Sequence, residues 1–121
     1  MLAGCFSEND APIVGTEWRV ESLGATTRPF ADGNATVAFS DEGQVSAYTG
    51  CNRMGGQYTI KGRVLAISRL MSTRMACVPQ QKMLDEQALA EALAKVTNVE
   101  VAGQKATLSG ADGVAIVLWR Q

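Results

Sequence analysis

Apolar and polar residues alternate over much of the chain, and this pattern predicts β-strands that turn one face toward a core. The clearest example is residues 16–23, where Trp18 and Val20 fall on one side and the alternating charged residues Glu17, Arg19 and Glu21 fall on the other. Further short runs follow at residues 36–39, 44–48, 57–60, 64–67, 99–102, 106–109 and 114–119. Glycine-containing turns separate most of these runs, so the sequence predicts antiparallel hairpins.

Two segments depart from this alternation. Residues 114–119 are apolar on both faces, which is typical of a strand that closes a barrel wall or lies beneath a helix. Between Gln80 and Val96, Leu89, Ala92 and Leu93 recur at helical spacing in a segment rich in strong helix formers. The predicted fold is therefore α+β and β-rich, with about eight antiparallel strands and one helix inserted between hairpins.

Length and charge limit the class of protein. A chain of 121 residues with 46% hydrophobic content fits a single globular domain. The net charge of -1 and the lack of any basic run argue against a nucleic-acid partner and against a basic helix on a membrane surface.

The absence of certain residue types argues against an enzyme. The sequence has no histidine, which removes Ser–His and Cys–His pairs and the commonest zinc ligand. It also has no CxxC pair, phosphate-binding loop or dinucleotide motif. We therefore expect no catalysis, no cofactor and no metal. Met54, Met71, Met75 and Met83 could bind copper(I) through their thioethers, but we expect them to fill the core.

The first residues suggest a lipid anchor. Leu2-Ala3-Gly4-Cys5 has the form of a lipobox, in which small residues precede the cysteine that receives the lipid. A chance coincidence or a cloning remnant is the alternative. We interpret residues 1–12 as a lipobox remnant with a flexible hydrophilic tether, and residues 13–121 as the folded domain. The expected location is a bacterial envelope membrane, preferably the outer membrane, with the domain facing the periplasm.

Cysteine usage fits the same compartment. If Cys5 carries lipid, Cys51 and Cys77 remain. In an oxidising envelope these two are expected to form a disulfide, which would stabilise the domain by about 3 kcal/mol. Two separate buried thiols are the alternative.

Three stretches of the chain resemble the META domain of the heat-shock protein HslJ family. They are Gly15-Thr16-Glu17-Trp18, Tyr48-Thr49-Gly50-Cys51-Asn52-Arg53-Met54-Gly55-Gly56-Gln57-Tyr58 and Ser72-Thr73-Arg74-Met75-Ala76-Cys77. The resemblance covers about residues 13–121 and implies a fold similar in outline to a cracked β-barrel. It also implies an envelope lipoprotein tied to stress or antibiotic tolerance, without a defined reaction. The motif positions are Gly50, Cys51, Asn52, Gly56, Tyr58, Thr73, Arg74, Met75, Cys77 and Glu86.

The motif residues suggest structural roles. Asn52 is expected to pin an irregular corner between strands, because its amide can bond nearby backbone groups; a polar pocket residue is the alternative. The motif glycines, including Gly56, allow bends or bulges that help to curl a sheet. Arg74 is expected to pair with Glu86 or Asp85, although it could bind a carboxylate or phosphate instead.

Three functions remain open at this point. The first is a binding or interaction module of the envelope, which holds a protein partner, a lipid or a small apolar ligand in a cleft of the barrel. The second is a structural factor that supports envelope assembly without a ligand site of its own. The third is an inhibitor of an envelope enzyme that presents residues 49–56 as a loop. In each case we expect a monomer attached to the membrane through Cys5.

Overall fold

Eight strands and one helix make up the described part of the chain. The computed structural model describes residues 13–23, 35–49, 52–73, 80–110 and 115–120. The elements, in chain order, are β1 (Glu17–Leu23), β2 (Thr36–Phe39), β3 (Gln44–Tyr48), β4 (Arg53–Lys61), β5 (Val64–Ser72), α1 (Gln80–Lys95), β6 (Val96–Ala102), β7 (Lys105–Gly110) and β8 (Ala115–Arg120). The predicted α+β fold with its single inserted helix is confirmed.

The strands form a closed antiparallel barrel in which each strand pairs with the next, and β8 pairs with β1. Ile116 and Leu118 of β8 point into the barrel, while Val117 and Trp119 on its outer face are half-buried. The strand that is apolar on both faces is thus the one that closes the wall. One junction is short, because the registered pairing of β5 with β6 is limited to Val64 and Asn98.

The barrel interior is filled by large apolar side chains. Trp18, Phe39, Leu65, Leu108 and Leu118 are fully buried. The Trp18 indole Nε1 donates a hydrogen bond to the Ile13 carbonyl oxygen at 3.1 Å, so the polar atom of this large side chain is satisfied inside the core. The predicted two faces of the first strand are confirmed, since Trp18 and Val20 are buried and the charged residues Glu17, Arg19 and Glu21 are exposed.

Helix α1 packs against β5, β1 and β7. Leu89 and Leu93 are fully buried and Ala92 is nearly so, as the helical spacing predicted. The helix ends at Lys95, one residue before the predicted end, because Val96 is buried and pairs with Gly110 as the first residue of β6. In the part of the chain that the structure describes, no helix has the length and hydropathy of a bilayer span.

The predicted burial of the methionines is only partly correct. Met54 is buried, but Met71 is 75% exposed and Met83 is 42% exposed. Met71 occupies an outward position of β5 opposite Gly55, where no core reaches it. Met75 lies outside the described residues. The prediction of core packing is therefore wrong for Met71 and Met83.

Candidate functional site

Three of the motif residues, Asn52, Thr73 and Glu86, meet where β4 begins and β5 ends. Asn52 is only 4% exposed and directly precedes β4. Its Nδ2 donates to Glu86 Oε1 of α1 at 2.9 Å, and its Oδ1 accepts from the Thr73 hydroxyl at 2.9 Å. A single amide thus connects the strand corner to the end of β5 and to the helix.

Thr73 adds a second set of contacts at this corner. Its backbone N–H donates to the Arg53 carbonyl at 3.1 Å, and its hydroxyl accepts from the Arg53 N–H at 3.2 Å. Because the Asn52 and Thr73 side chains use their hydrogen-bonding capacity on one another and on the chain, they stabilise the corner rather than face a ligand. The interpretation of Asn52 as a residue that pins this corner is supported by these contacts.

Tyr58 anchors the turn between β2 and β3. Its hydroxyl donates to the Ser40 carbonyl at 2.5 Å, and its ring meets Phe39 edge-on with centroids 5.1 Å apart. Burial raises the pKa of Tyr58 above its usual value of 10.0, and the negative charge of Asp41 raises this pKa further. The phenol therefore stays neutral and hydrogen-bonded at physiological pH.

Gly56 marks a β-bulge between β4 and β5. The register skips from Gln57 opposite Ser68 to Gly55 opposite Met71, which leaves Arg69 and Leu70 opposite Gly56. Arg69 adopts a left-handed backbone with φ 58°. A Cβ on Gly56 would stand 2.8 Å from the Ser68 carbonyl oxygen, so a side chain would disturb the bulge. The interpretation of Gly56 as a bulge residue is confirmed.

The remaining predicted sites cannot be located. Cys5, Cys51 and Cys77 lie outside the described residues, and so do the motif positions Gly50, Arg74 and Met75. Neither the lipid anchor, nor the disulfide, nor the ion pair of Arg74 is therefore tested. Among the residues that are described, no three His, Cys, Asp or Glu side chains come together as metal ligands do.

A second feature lies on the outer wall of the barrel and involves a different set of residues. The pairing of β1 to β5 places one outward row across the strands, in the order Glu17, Ala38, Ser46, Gly55 and Met71. The three central residues are small, so the outer surface is depressed between the longer side chains of Glu17 and Met71. We call the resulting depression the transverse groove. It has a volume of about 900 Å³.

Taller side chains border the floor of the transverse groove. Gln44 pairs with Gln57 in the next outward row on one side, and both line the groove. In the outward row on the other side, Tyr48 pairs with Arg53, whose guanidinium lies 5.1 Å above the Tyr48 ring. The groove therefore combines a bare, mostly apolar floor with polar side chains along its sides.

Charges of opposite sign occupy the two ends of the transverse groove. Glu17 and Asp41 line the end near β1 and the β2–β3 turn, while Arg69 lines the end at β5. Within the described part of the chain, no carboxylate pairs with the guanidinium of Arg69 or of nearby Arg53. Arg69 lines the groove, whereas the Arg53 guanidinium lies over the Tyr48 ring outside the lining.

Reasoning from the sequence missed the transverse groove. Its signal is that Ala38, Ser46 and Gly55, which belong to three different strands, are all small. That similarity acquires meaning only once the register places the three side by side, and register depends on pairing between distant segments.

Comparison with known proteins identifies the family. The family model of the META domain matches residues 11–121. The chain belongs to the META domain family. An NMR structure of a protein from Burkholderia xenovorans is similar to this META domain, with a TM-score of 0.72 and 27% sequence identity over 91% of this chain and 84% of that chain. No curated protein matches the sequence.

Two further solved structures share the META fold at lower identity. A second protein studied by NMR has a TM-score of 0.62 and 23% identity, covering 84% of this chain and 86% of that chain. A DUF4847 family protein from Bacteroides vulgatus has a TM-score of 0.62 and 12% identity, covering 88% of this chain and 93% of that chain. These two show likeness of fold alone.

Proposed function

We propose that this META domain is a non-enzymatic binding module of the bacterial cell envelope, anchored by a lipid on Cys5, that holds a protein partner in the transverse groove. The observation that carries the proposal is the row of Ala38, Ser46 and Gly55 across three paired strands. Binding sites are concave and largely preformed, and this row makes the outer wall of the barrel concave.

The position of the groove on paired strands supports a binding role. Its floor belongs to β2, β3 and β4, whose backbones are fixed by continuous registers. A site on rigid strands loses little conformational entropy when a partner binds, since few groups must be ordered. Long partners, such as a protein segment, suit a site that crosses several strands.

The other two candidate functions fit the geometry less well. An inhibitory loop at residues 49–56 would have to protrude, yet Thr49 and Asn52 are buried and Arg53 already begins β4. The filled interior of the barrel favours a purely structural factor over a carrier of a small apolar ligand. A purely structural factor leaves the transverse groove without a role. Capture of partners from envelope extract therefore distinguishes a structural factor from a binding module.

The test is capture of partners from envelope extract with three forms of the protein. Ser46→Trp fills the floor of the groove with a large side chain. Thr59→Trp is the matched control, because Thr59 is an exposed outward residue of neighbouring β4 that does not line the groove. We expect the unaltered protein and the control to retain the same partner and Ser46→Trp to lose it. Identical capture by all three forms would show that the groove is not the site.

The anchor is tested separately. In the full-length precursor, Cys5→Ser removes the thiol that would receive the lipid. We expect this variant to move from the membrane fraction to the released fraction, whereas unchanged membrane association would refute the lipid anchor.

A further inference from the structure

We propose that the transverse groove recognises an extended peptide segment of about six residues, with a carboxylate at its β5 end and a basic side chain at its β1 end. The inference rests on the function proposed above and adds the chemistry of the partner. From β1 to β5 the groove crosses four strand spacings, or roughly 19 Å. An extended peptide covers that distance with about six residues.

The β5 end of the groove is built to receive a carboxylate. Arg69 stands opposite Gly56 in the bulge and lines this end of the groove. Gly55 and Gly56 beside it carry no side chain, which allows close approach to the backbone. The Arg69 guanidinium beside bare backbone provides paired donors for one carboxylate.

The strained backbone of Arg69 is a second sign of this role. A left-handed conformation costs a residue with a side chain about 1–2 kcal/mol, and glycine would adopt it without that cost. Such strain is concentrated at binding and catalytic sites. The bulge directs the Arg69 side chain into the lining of the groove.

The β1 end of the groove has the opposite charge and limits the partner further. Glu17 and Asp41 are both exposed and line this end. A polymer with repeated negative charges, such as a nucleic acid or an anionic lipid surface, would be repelled there. A segment with an acidic group at one terminus and a basic group at the other can form ion pairs at both ends of the groove.

The middle of the groove suits a peptide backbone. Gln44, Ser46 and Gln57 provide amide and hydroxyl groups that can both donate and accept, as the alternating N–H and C=O groups of a peptide require. The exposed side chain of Met71 offers an apolar contact that adapts to different neighbours.

The experiment titrates the isotopically labelled 121-residue chain with capped hexapeptides and follows backbone amide shifts by NMR. The probe is Glu-Gly-Leu-Ser-Gly-Lys, and its neutral counterpart has glutamine at both ends. We expect the charged peptide to shift the amides of Ser46, Gly55, Gly56 and Arg69 with a dissociation constant of about 1 mM, because exposed ion pairs are weak.

Charge reversal then tests the assignment of the two ends. Arg69→Glu should weaken binding about tenfold, and a peptide with lysine at both ends should restore it. Lys61→Glu is the control, since Lys61 is exposed on β4 outside the groove and its reversal changes the net charge equally. Equal binding of the charged and neutral peptides, or an equal effect of the two variants, would overturn the inference.

Two further arms distinguish a peptide site from a general anion site and from a groove that binds its partner through different chemistry. Stronger binding of inorganic phosphate, or of phosphatidylglycerol vesicles, at the same amides would overturn the inference in favour of a general anion site. If Ser46→Trp abolishes partner capture from extract while Arg69→Glu leaves that capture intact, the groove binds its partner but the proposed peptide chemistry is wrong. If Ser46→Trp retains the partner, the proposed function itself fails.

Discussion

The bulge at Gly56 provides the sharpest test of the structure. In Gly56→Ala the new Cβ would stand 2.8 Å from the Ser68 carbonyl oxygen, 3.3 Å from the Leu70 Cα and 3.4 Å from the Arg69 carbonyl oxygen. All three atoms belong to the backbone, so the bulge itself must move. Overpacking of this kind costs about 1–3 kcal/mol, while the loss of glycine's freedom in the unfolded chain offsets about 0.4–1 kcal/mol of that cost. We expect a net destabilisation of about 1–2 kcal/mol.

Gly55→Ala is the matched control for this prediction. A Cβ on Gly55 would have a single neighbour, the Val45 carbonyl oxygen at 3.9 Å, so the variant should be as stable as the parent or slightly more stable. Urea unfolding followed by tryptophan fluorescence measures both variants, since Trp18 is fully buried in the folded state. Equal unfolding free energies for Gly55→Ala and Gly56→Ala would refute the bulge geometry.

Three more changes test the corner, the strain and the buried phenol. Asn52→Ala removes an amide that both donates and accepts inside the corner, and unfolding free energy should fall by about 2–3 kcal/mol; Gln57→Ala, an exposed amide, should change it little. Arg69→Gly should raise the unfolding free energy by about 1 kcal/mol by removing the left-handed strain. An unchanged unfolding free energy would mean that the backbone of Arg69 is not strained. Stability should decline as pH rises above about 10, because the raised pKa of Tyr58 keeps the folded state protonated while the unfolded state ionises first. A urea series across this pH range should show a shallower decline for Tyr58→Phe.

Local pattern was sufficient to predict the type of every element. Strands β2 and β3 have the predicted bounds, because a clear turn at residues 41–43 separates two short alternating runs. Strand β4 instead begins at Arg53, four residues before its predicted start. Gly55 and Gly56 have low strand propensity, yet pairing with β3 and β5 on both sides holds them in the sheet.

The errors on β5 and β6 have the same physical origin. Strand β5 continues to Ser72 through polar residues that interrupt the alternation, because the bulge shifts the residues after it relative to β4. Strand β6 begins at Val96, a residue that helical spacing had assigned to the helix. A valine that points inward fits either element, and its pairing with Gly110 decides between them.

The helix is joined to the strand that has the shortest pairing on one of its sides. Strand β5 pairs with β4 along nearly its whole length but with β6 only at Val64. Helix α1 follows β5 and precedes β6 in chain order; it packs on β5 and buries Leu89 and Leu93. The hydrogen bond from Asn52 to Glu86 ties the same helix to the start of β4. The polar residues of the motif therefore face one another because they join the helix to the strand corner.

This arrangement separates the residues that hold the strand corner from those that would select a partner. Asn52, Thr73 and Glu86 hold the corner and the helix, whereas the ends of the transverse groove are set by residues such as Glu17 and Arg69. Gly56 belongs to both sets, since the bulge it permits also positions Arg69. A related chain could keep the corner and change the charges at the two ends, and its barrel would remain while its partner changed. A shared META fold therefore supports inference about the barrel, and inference about binding has to come from the groove residues of each chain.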